Sequence, residues 1–267
     1  MLVPARVLSI AGSDSGGGAG LQADIKTLCA FGCYAMTAVT AVTVQDTTGV
    51  YGVADIAPEI VAAQITRVLN DIGADAIKIG MLGSAEITEA VADALQARGS
   101  IPLVLDTVMI AKGGAALIDE AGIAAMKSCL IAGADLVTPN APEAARLTGI
   151  NVETPDDLVH AGHALLALGA RAALMKGGHL SGNMVTDILV TPFDVQIFEA
   201  WRIDTRSTHG TGCTLASACA AGLAQGMQLH DAVARAHRYV QEAIRTAPGF
   251  GHGNGPLNHL HGLSEKA

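Results

Sequence analysis

Aromatic residues are scarce in this chain: one Trp, three Tyr and four Phe among 267 residues. Basic residues are outnumbered as well, 16 Lys and Arg against 25 Asp and Glu, which leaves a formal charge of −9. With neither stacking platforms nor a basic footprint, nucleic acid is not an expected partner. No run approaches eighteen uninterrupted apolar residues, because Lys, Arg, Asp or Gly breaks each one, so no membrane-spanning segment is expected. The five cysteines, Cys29, Cys33, Cys129, Cys213 and Cys219, include no C-x-x-C pair, and no signal peptide is evident. That scatter predicts reduced thiols and a cytoplasmic protein. Nowhere does Gly-Lys precede Ser or Thr, which excludes a P-loop. Zinc spacing is missing too: His160 and His163 lie three apart on a helix without further ligands nearby, and read as exposed.

Apolar residues make up half of the chain and charged residues only 15%, which excludes intrinsic disorder. Short apolar runs alternate with amphipathic segments, the pattern of an α/β fold with a mostly parallel sheet flanked by helices. The expected buried strands are Val7 to Ala11, Tyr34 to Val44, Ala76 to Ile79, Leu103 to Leu105, Leu136 to Val137 and Ala172 to Met175. Val61, Ile65, Val68, Leu69 and Ile72 share one face of a helix from Pro58 to Ile72. Thr154-Pro155-Asp156-Asp157 is a helix start, with Thr154 as cap and two carboxylates toward the positive end of the dipole. Val185 to Val190 and Val195 to Ile203, joined through Thr191-Pro192-Phe193-Asp194, predict a small antiparallel edge. Two helices close the chain: Gly212 to Ala224, and one whose face carries Leu229, Val233, Ala236, Val240 and Ile244.

Thirty-one glycines cluster where the strands should end, the ligand side of an open α/β sheet. The first cluster, Gly12 to Gly20, contains Gly18-x-Gly20-x-x-Ala23 with Asp46 further on. This is a weak dinucleotide fingerprint, because six residues separate it from the strand. A flexible connection and a binding loop both fit it. The second cluster, His209-Gly210-Thr211-Gly212-Cys213-Thr214, opens a helix of small residues. Backbone N–H groups there converge, so Gly210, Thr211 and Gly212 predict an anion hole. Cys213 sits in the first helical turn, the position that lowers a thiol pKa. Asn140 and Glu143, in Thr138-Pro139-Asn140-Ala141-Pro142-Glu143, offer oxygen ligands for magnesium or an ordinary helix cap, and the residues alone favour the cap. Lys176 and Asp106 each close a strand at the ligand edge, suited to a phosphate and to a metal ion respectively. His179 and His209 read as hydrogen-bonded loop residues.

Taken in order, Ala11-Gly12-Ser13-Asp14, Gly18 to Thr27, Thr43-Val44-Gln45, Lys78-Ile79-Gly80-Met81-Leu82, Thr138-Pro139-Asn140, Lys176-Gly177-Gly178-His179 and His209 to Thr214 resemble one family. It is the hydroxymethylpyrimidine and phosphomethylpyrimidine kinases of thiamine synthesis, within the ribokinase-like superfamily. The resemblance implies a ribokinase-like three-layer sandwich, with residues 1–267 as a single kinase domain, ATP and Mg2+ as cofactors, an aminopyrimidine substrate and a homodimer. It places Gly12, Ala19, Asp24, Gln45, Met81 and Val108 around the pyrimidine, with Asp24 and Gln45 as polar contacts. Asp106, Asn140, Glu143 and Lys176 would surround the nucleotide phosphates, Asp106 and Glu143 holding the metal. Gly210 to Cys213 would meet the transferred phosphoryl group, with Cys213 as base. This chain departs from the common family pattern at Thr107, where proline is usual, at Asp46, where asparagine is usual, and at Ser15-Gly16. Pyridoxine or pyridoxal kinase activity is the nearest alternative. A non-catalytic metabolite binder and a nicotinamide oxidoreductase built on Gly18 to Ala23 stand further off.

Overall fold

The computed structural model describes residues 3–111 and 113–262. Among them are strands β1 (Arg6–Asp14), β2 (Tyr34–Gln45), β3 (Val50–Asp55), β4 (Ala76–Ile79), β5 (Leu103–Leu105), β6 (Leu136–Val137), β7 (Ala173–Met175), β8 (Met184–Val190) and β9 (Val195–Trp201). All join one sheet in the order β3-β2-β1-β4-β5-β6-β7-β8-β9. The neighbours from β2 through β7 pair in parallel, while β3 at one edge and β8 and β9 at the other are antiparallel. Six parallel strands therefore point their C-terminal ends to one side, and the residues that follow them converge there.

Alternation along each short strand builds two cores. Leu103 and Leu105 face one way and Val104 the other; Val137 opposes Leu136, and Ala173 and Met175 oppose Leu174. On one face lie α2 (Pro58–Asp71), α3 (Ala85–Ala94), α4 (Glu120–Cys129), α5 (Ala141–Thr148) and α6 (Pro155–Ala167). On the other lie α1 (Gly20–Ala30), α7 (Thr211–Ala224) and α8 (Leu229–Arg245). The result is the expected three-layer sandwich.

Helix α7 is buried from Thr214 through Gly222, and from Ala216 onward every side chain in that stretch is Ala, Ser, Cys or Gly. Small side chains let its backbone press against β1, β4 and β5, so its first turn opens at the strand ends. Helix α5 starts with a reciprocal cap, Asn140 Oδ1 accepting from Glu143 N–H and Glu143 Oε2 accepting from Asn140 N–H, both at 2.9 Å. Thr154 and Asp157 cap α6 in the same way.

Two elements differ from the sequence expectation. Strand β1 continues past Ala11 through Gly12, Ser13 and Asp14, with a register shift between Ala11 and Ser13, so the first third of the first glycine cluster is strand. Strand β3 was not expected. Its side chains are mostly exposed, so no buried run marks it, and it is held by its ladder to β2.

Candidate active site

A cavity of about 610 Å³ opens at the C-terminal ends of the parallel strands. Every residue expected at the site lines it, with one exception. At the end formed by β1, β2 and the turn after β4, the walls are Gly12, Ala19, Gln45, Met81 and Val108. Gly12 sits in the kink of β1, where a Cβ would lie 3.0 Å from Met81 Sδ, so its bareness leaves the thioether room in the wall.

The exception is Asp24. Its side chain lies beneath the cavity floor at 0% exposure, accepting from Ser9 Oγ at 2.6 Å, Ser217 Oγ at 2.7 Å and Lys78 Nζ at 2.9 and 3.0 Å. Lys78 is equally buried and requires a countercharge. Asp24 therefore braces α1, β1, β4 and α7 and does not line the cavity, where the sequence reading expected a polar contact to the substrate.

At the opposite end, Lys176 Nζ bonds Asp106 Oδ1 at 2.9 Å and lies 3.9 Å from Glu143 Oε2. Burial alone would lower the pKa of Lys176, but these carboxylates outweigh it and raise it, so the ammonium stays charged. Burial opposes ionisation of Asp106 as well, yet Lys176 and Lys78 hold its carboxyl below the usual range. Glu143 is pushed up, chiefly by burial and further by Asp106. Thr107 gives its hydroxyl to Glu143 Oε2 at 3.1 Å. Asn140 and Glu143 make the helix cap and line the cavity at once.

Between the two ends stands the turn before α7. Gly210 has φ +84°, and a Cβ there would overlap the Gly18 carbonyl oxygen, so only glycine fits. Thr214 N–H closes onto Gly210 O at 2.9 Å, and Thr211 N–H leans on Thr208 O at 3.4 Å. That leaves the Gly210, Gly212 and Cys213 amides without an acceptor among the described residues, so of the expected anion-hole amides Thr211 alone is engaged. A Cβ at Gly212 would lie 3.1 Å from Lys176 Nζ, which puts this turn and the lysine side by side.

Cys213 keeps part of its surface open to the cavity. Its thiol is not activated as its helical position predicted. Burial pushes it up to about 12, with Asp106 and Asp24 adding to the rise, while Lys78 and a hydrogen bond from Gly20 N–H pull the other way. Desolvation and two carboxylates outweigh the helix start.

Sequence reasoning gave no role to three further groups. Lys78 was visible as a lone charge in the buried run Ala76 to Ile79. Asp187, a lone acid within Val185 to Val190, accepts Gly177 N–H at 2.9 Å, and its other oxygen lies 3.9 Å from His237 Nε2. Burial raises the Asp187 carboxyl and lowers the His237 imidazole. Asp14 accepts the N–H groups of Gly16, Gly18 and Ala19 at 2.8 to 3.0 Å and meets His209 Nε2 at 2.9 Å. His209 is thus the hydrogen-bonded loop residue expected. Asp46 does not serve a dinucleotide: it is exposed, turned onto Thr48 and Gly49, and outside the cavity. His160 and His163 are exposed, as expected.

An apolar recess for a small ring, leading past a thiol to amides and a paired lysine on a doubly covered sheet, defines the class as small-molecule kinases of the ribokinase-like fold. More narrowly, the chain belongs to the phosphomethylpyrimidine kinase family, whose model matches residues 14–258. It is 46% identical over 264 residues to the hydroxymethylpyrimidine/phosphomethylpyrimidine kinase of Streptomyces coelicolor, covering 99% of this chain and 97% of that one. It is 48% identical over 254 residues to the thiamine biosynthesis bifunctional protein ThiED of Geobacter sulfurreducens. That match covers 95% of this chain and spans 52% of the length of the relative. Among solved structures, the phosphomethylpyrimidine kinase of Clostridium difficile matches with a TM-score of 0.81 at 41% identity, covering 90% of this chain and 99% of that one. The pyridoxal kinase of Staphylococcus aureus in complex with AMP-PCP and pyridoxal matches at 0.90 with 32% identity, covering 97% and 94%.

Proposed function

We propose that this chain transfers the γ-phosphoryl group of ATP to the hydroxyl of 4-amino-5-hydroxymethyl-2-methylpyrimidine, and then phosphorylates the monophosphate to the diphosphate, for thiamine synthesis. The observation that carries the reading is one cavity lined by Gln45, Met81 and Val108, by Lys176 and Asp106, and by Cys213. Both reactions are in-line displacements, in which positioning and charge stabilisation dominate. The pyrimidine lies against Met81 and Val108 and bonds to Gln45. Gly212 and Cys213 N–H groups and Lys176 meet the charge on the moving phosphoryl group. Cys213 takes the proton of the hydroxyl in the first step; in the second the attacking phosphate oxygen is already ionised.

A divalent cation fits beside Asp106, whose Oδ2 is buried and has no hydrogen-bond partner among the described residues. Asp106 and Glu143 would hold Mg2+, which draws charge from the nucleotide phosphates when bound. The described residues contain no group of three His, Cys, Asp or Glu arranged for a metal. Magnesium in nucleotide sites needs only one or two carboxylates, the rest of its shell being phosphate and water.

One sheet with a core on each face supports a single kinase domain. Exposed Val42, Val44, Tyr51 and Val53 near the β3 edge support a homodimer. Five free cysteines, and the absence of any described helix long and apolar enough to cross a membrane, support a cytoplasmic setting.

A coupled ADP-release assay tests the reading. ADP should form with the aminopyrimidine and with its monophosphate, at higher kcat/KM than with pyridoxine. The match to solved pyridoxal kinases favours that vitamin as the second reading, and a preference for pyridoxine would establish it instead.

A further inference from the structure

We propose that residues 251–259, which follow α8, clamp the turn before α7 against the wall of the pyrimidine recess, with Thr47, Thr214 and His259 as the positioning residues of that clamp. The inference rests on the kinase reading above and names what aims its phosphoryl-binding amides.

The Gly210, Gly212 and Cys213 amides have no acceptor among the described residues, so they are free to meet a phosphoryl group but do not hold their own turn in place. The turn is held from outside, at both ends. At its start, His209 N–H donates to Gly255 O at 3.1 Å. At its finish, Thr214 Oγ1 lies 3.0 Å from His259 Nε2, and both residues are buried. Burial brings the His259 imidazole down to about 4, with Lys26 and His261 adding to the fall, so near neutrality the ring is uncharged. A neutral ring nitrogen either accepts from a hydroxyl or donates to it, and the Thr214 hydroxyl does the reverse, so one bond forms in either tautomer. His259 is itself anchored on α8. Its carbonyl oxygen accepts from Tyr239 Oη at 2.6 Å, and the neighbouring Asn258 N–H donates to Ala243 O at 3.0 Å.

The other end of the segment grips the recess wall. Thr47 stands two residues past Gln45. Its carbonyl oxygen accepts Asn254 N–H at 2.7 Å, and its Oγ1 accepts the N–H groups of His252 and Gly253, each at 3.2 Å. Gly251 and Gly253 approach so closely that a Cβ on either would overlap Thr47. One short segment thus joins the end of β2, which carries Gln45, to both ends of the turn that carries the free amides.

None of Thr47, Thr214 and His259 lines the cavity. They act through the backbone, by fixing the separation between the acceptor ring and the migrating phosphoryl group. In-line transfer is sensitive to misplacement on the ångström scale, so loosening either end should slow the chemistry before it weakens binding.

The test measures kcat, KM for ATP and KM for the hydroxymethyl aminopyrimidine by ADP release, with the urea unfolding midpoint of each variant alongside. In Thr214→Val, which keeps the shape and loses the hydroxyl, kcat should fall about tenfold while both KM values stay within about twofold, the pattern of lost alignment. Thr214→Ser should restore kcat. His259→Phe should match Thr214→Val, and the double variant should be no slower than either, because the same bond is removed in all three. Thr47→Val loosens the far end of the clamp and should lower kcat severalfold with KM unchanged; with Thr214→Val it carries the test if His259→Phe fails to fold. An unchanged kcat in Thr214→Val and Thr47→Val, whatever the unfolding midpoint does, overturns the proposal and leaves the kinase reading intact. So does a loss confined to KM, or a double variant whose losses multiply. A wild-type chain that releases no ADP with the aminopyrimidine overturns both.

Discussion

Cys213 rests protonated and takes the hydroxyl proton only from its thiolate fraction, and that fixes how rate should depend on pH. With its thiol pushed up to about 12, only a small thiolate fraction exists near neutrality, and the fraction grows tenfold per pH unit below the pKa. The kcat of the first phosphorylation should therefore climb about tenfold per unit between pH 7 and 9 while that of the second stays nearly flat. ADP release measured at each pH for the two substrates separately checks this, and a plateau below pH 9 in the first step would sink the base assignment. Cys213→Ala should lower the first step at least about a hundredfold and the second much less. Lys78 makes a different prediction at the same scale. Lys78→Met strands Asp24 as a buried charge and should cost about 3 to 5 kcal/mol in urea unfolding. Adding Asp24→Asn should recover part of that loss.

At the scale of elements, the turn before α7 and the start of α5 carry the most consequence. Gly210→Ala must both hold φ +84° and clear the Gly18 carbonyl, so the first turn shifts and its amides lose their aim. We expect kcat to fall about a hundredfold, as when an anion-hole donor is removed, with the fold retained by circular dichroism. Asn140→Ala removes one half of the α5 cap and should cost about 0.5 to 2 kcal/mol in the same urea titration. Most of these elements were legible from sequence because their signals are local. The runs Ala76 to Ile79, Leu103 to Leu105 and Leu136 to Val137 coincide with β4, β5 and β6, being short, apolar and bounded by turns. The Thr154 and Asn140 caps were readable because they act within three residues. Strand β3 was not, since it buries little and takes its order from a partner strand. Asp24 was misread for a related reason: its partner Lys78 lies 54 positions away, and nothing near Asp24 shows that a buried ammonium is waiting for it. The thiol of Cys213 was misjudged because its helical position is a local signal, whereas the desolvation that outweighs it comes from the whole surrounding cleft.

At the scale of the molecule, apolar side chains stay uncovered near the β3 edge, Val44 at 63% and Tyr51 at 67%. If a second copy covers them, sedimentation should give twice the 27.0 kDa of the chain, and Val44→Lys should shift the population to monomer. The pairing of Lys176 with Asp106 also has a kinetic consequence. Its ammonium is already neutralised at 2.9 Å, and the chain as a whole carries −9, so a polyanion approaching from solution meets no long-range attraction. Capture of the nucleotide must then depend on close-range exchange of partners after encounter. Stopped-flow association with a fluorescent ATP analogue should be slow for its size and should quicken, not slow, as added salt screens the like charges.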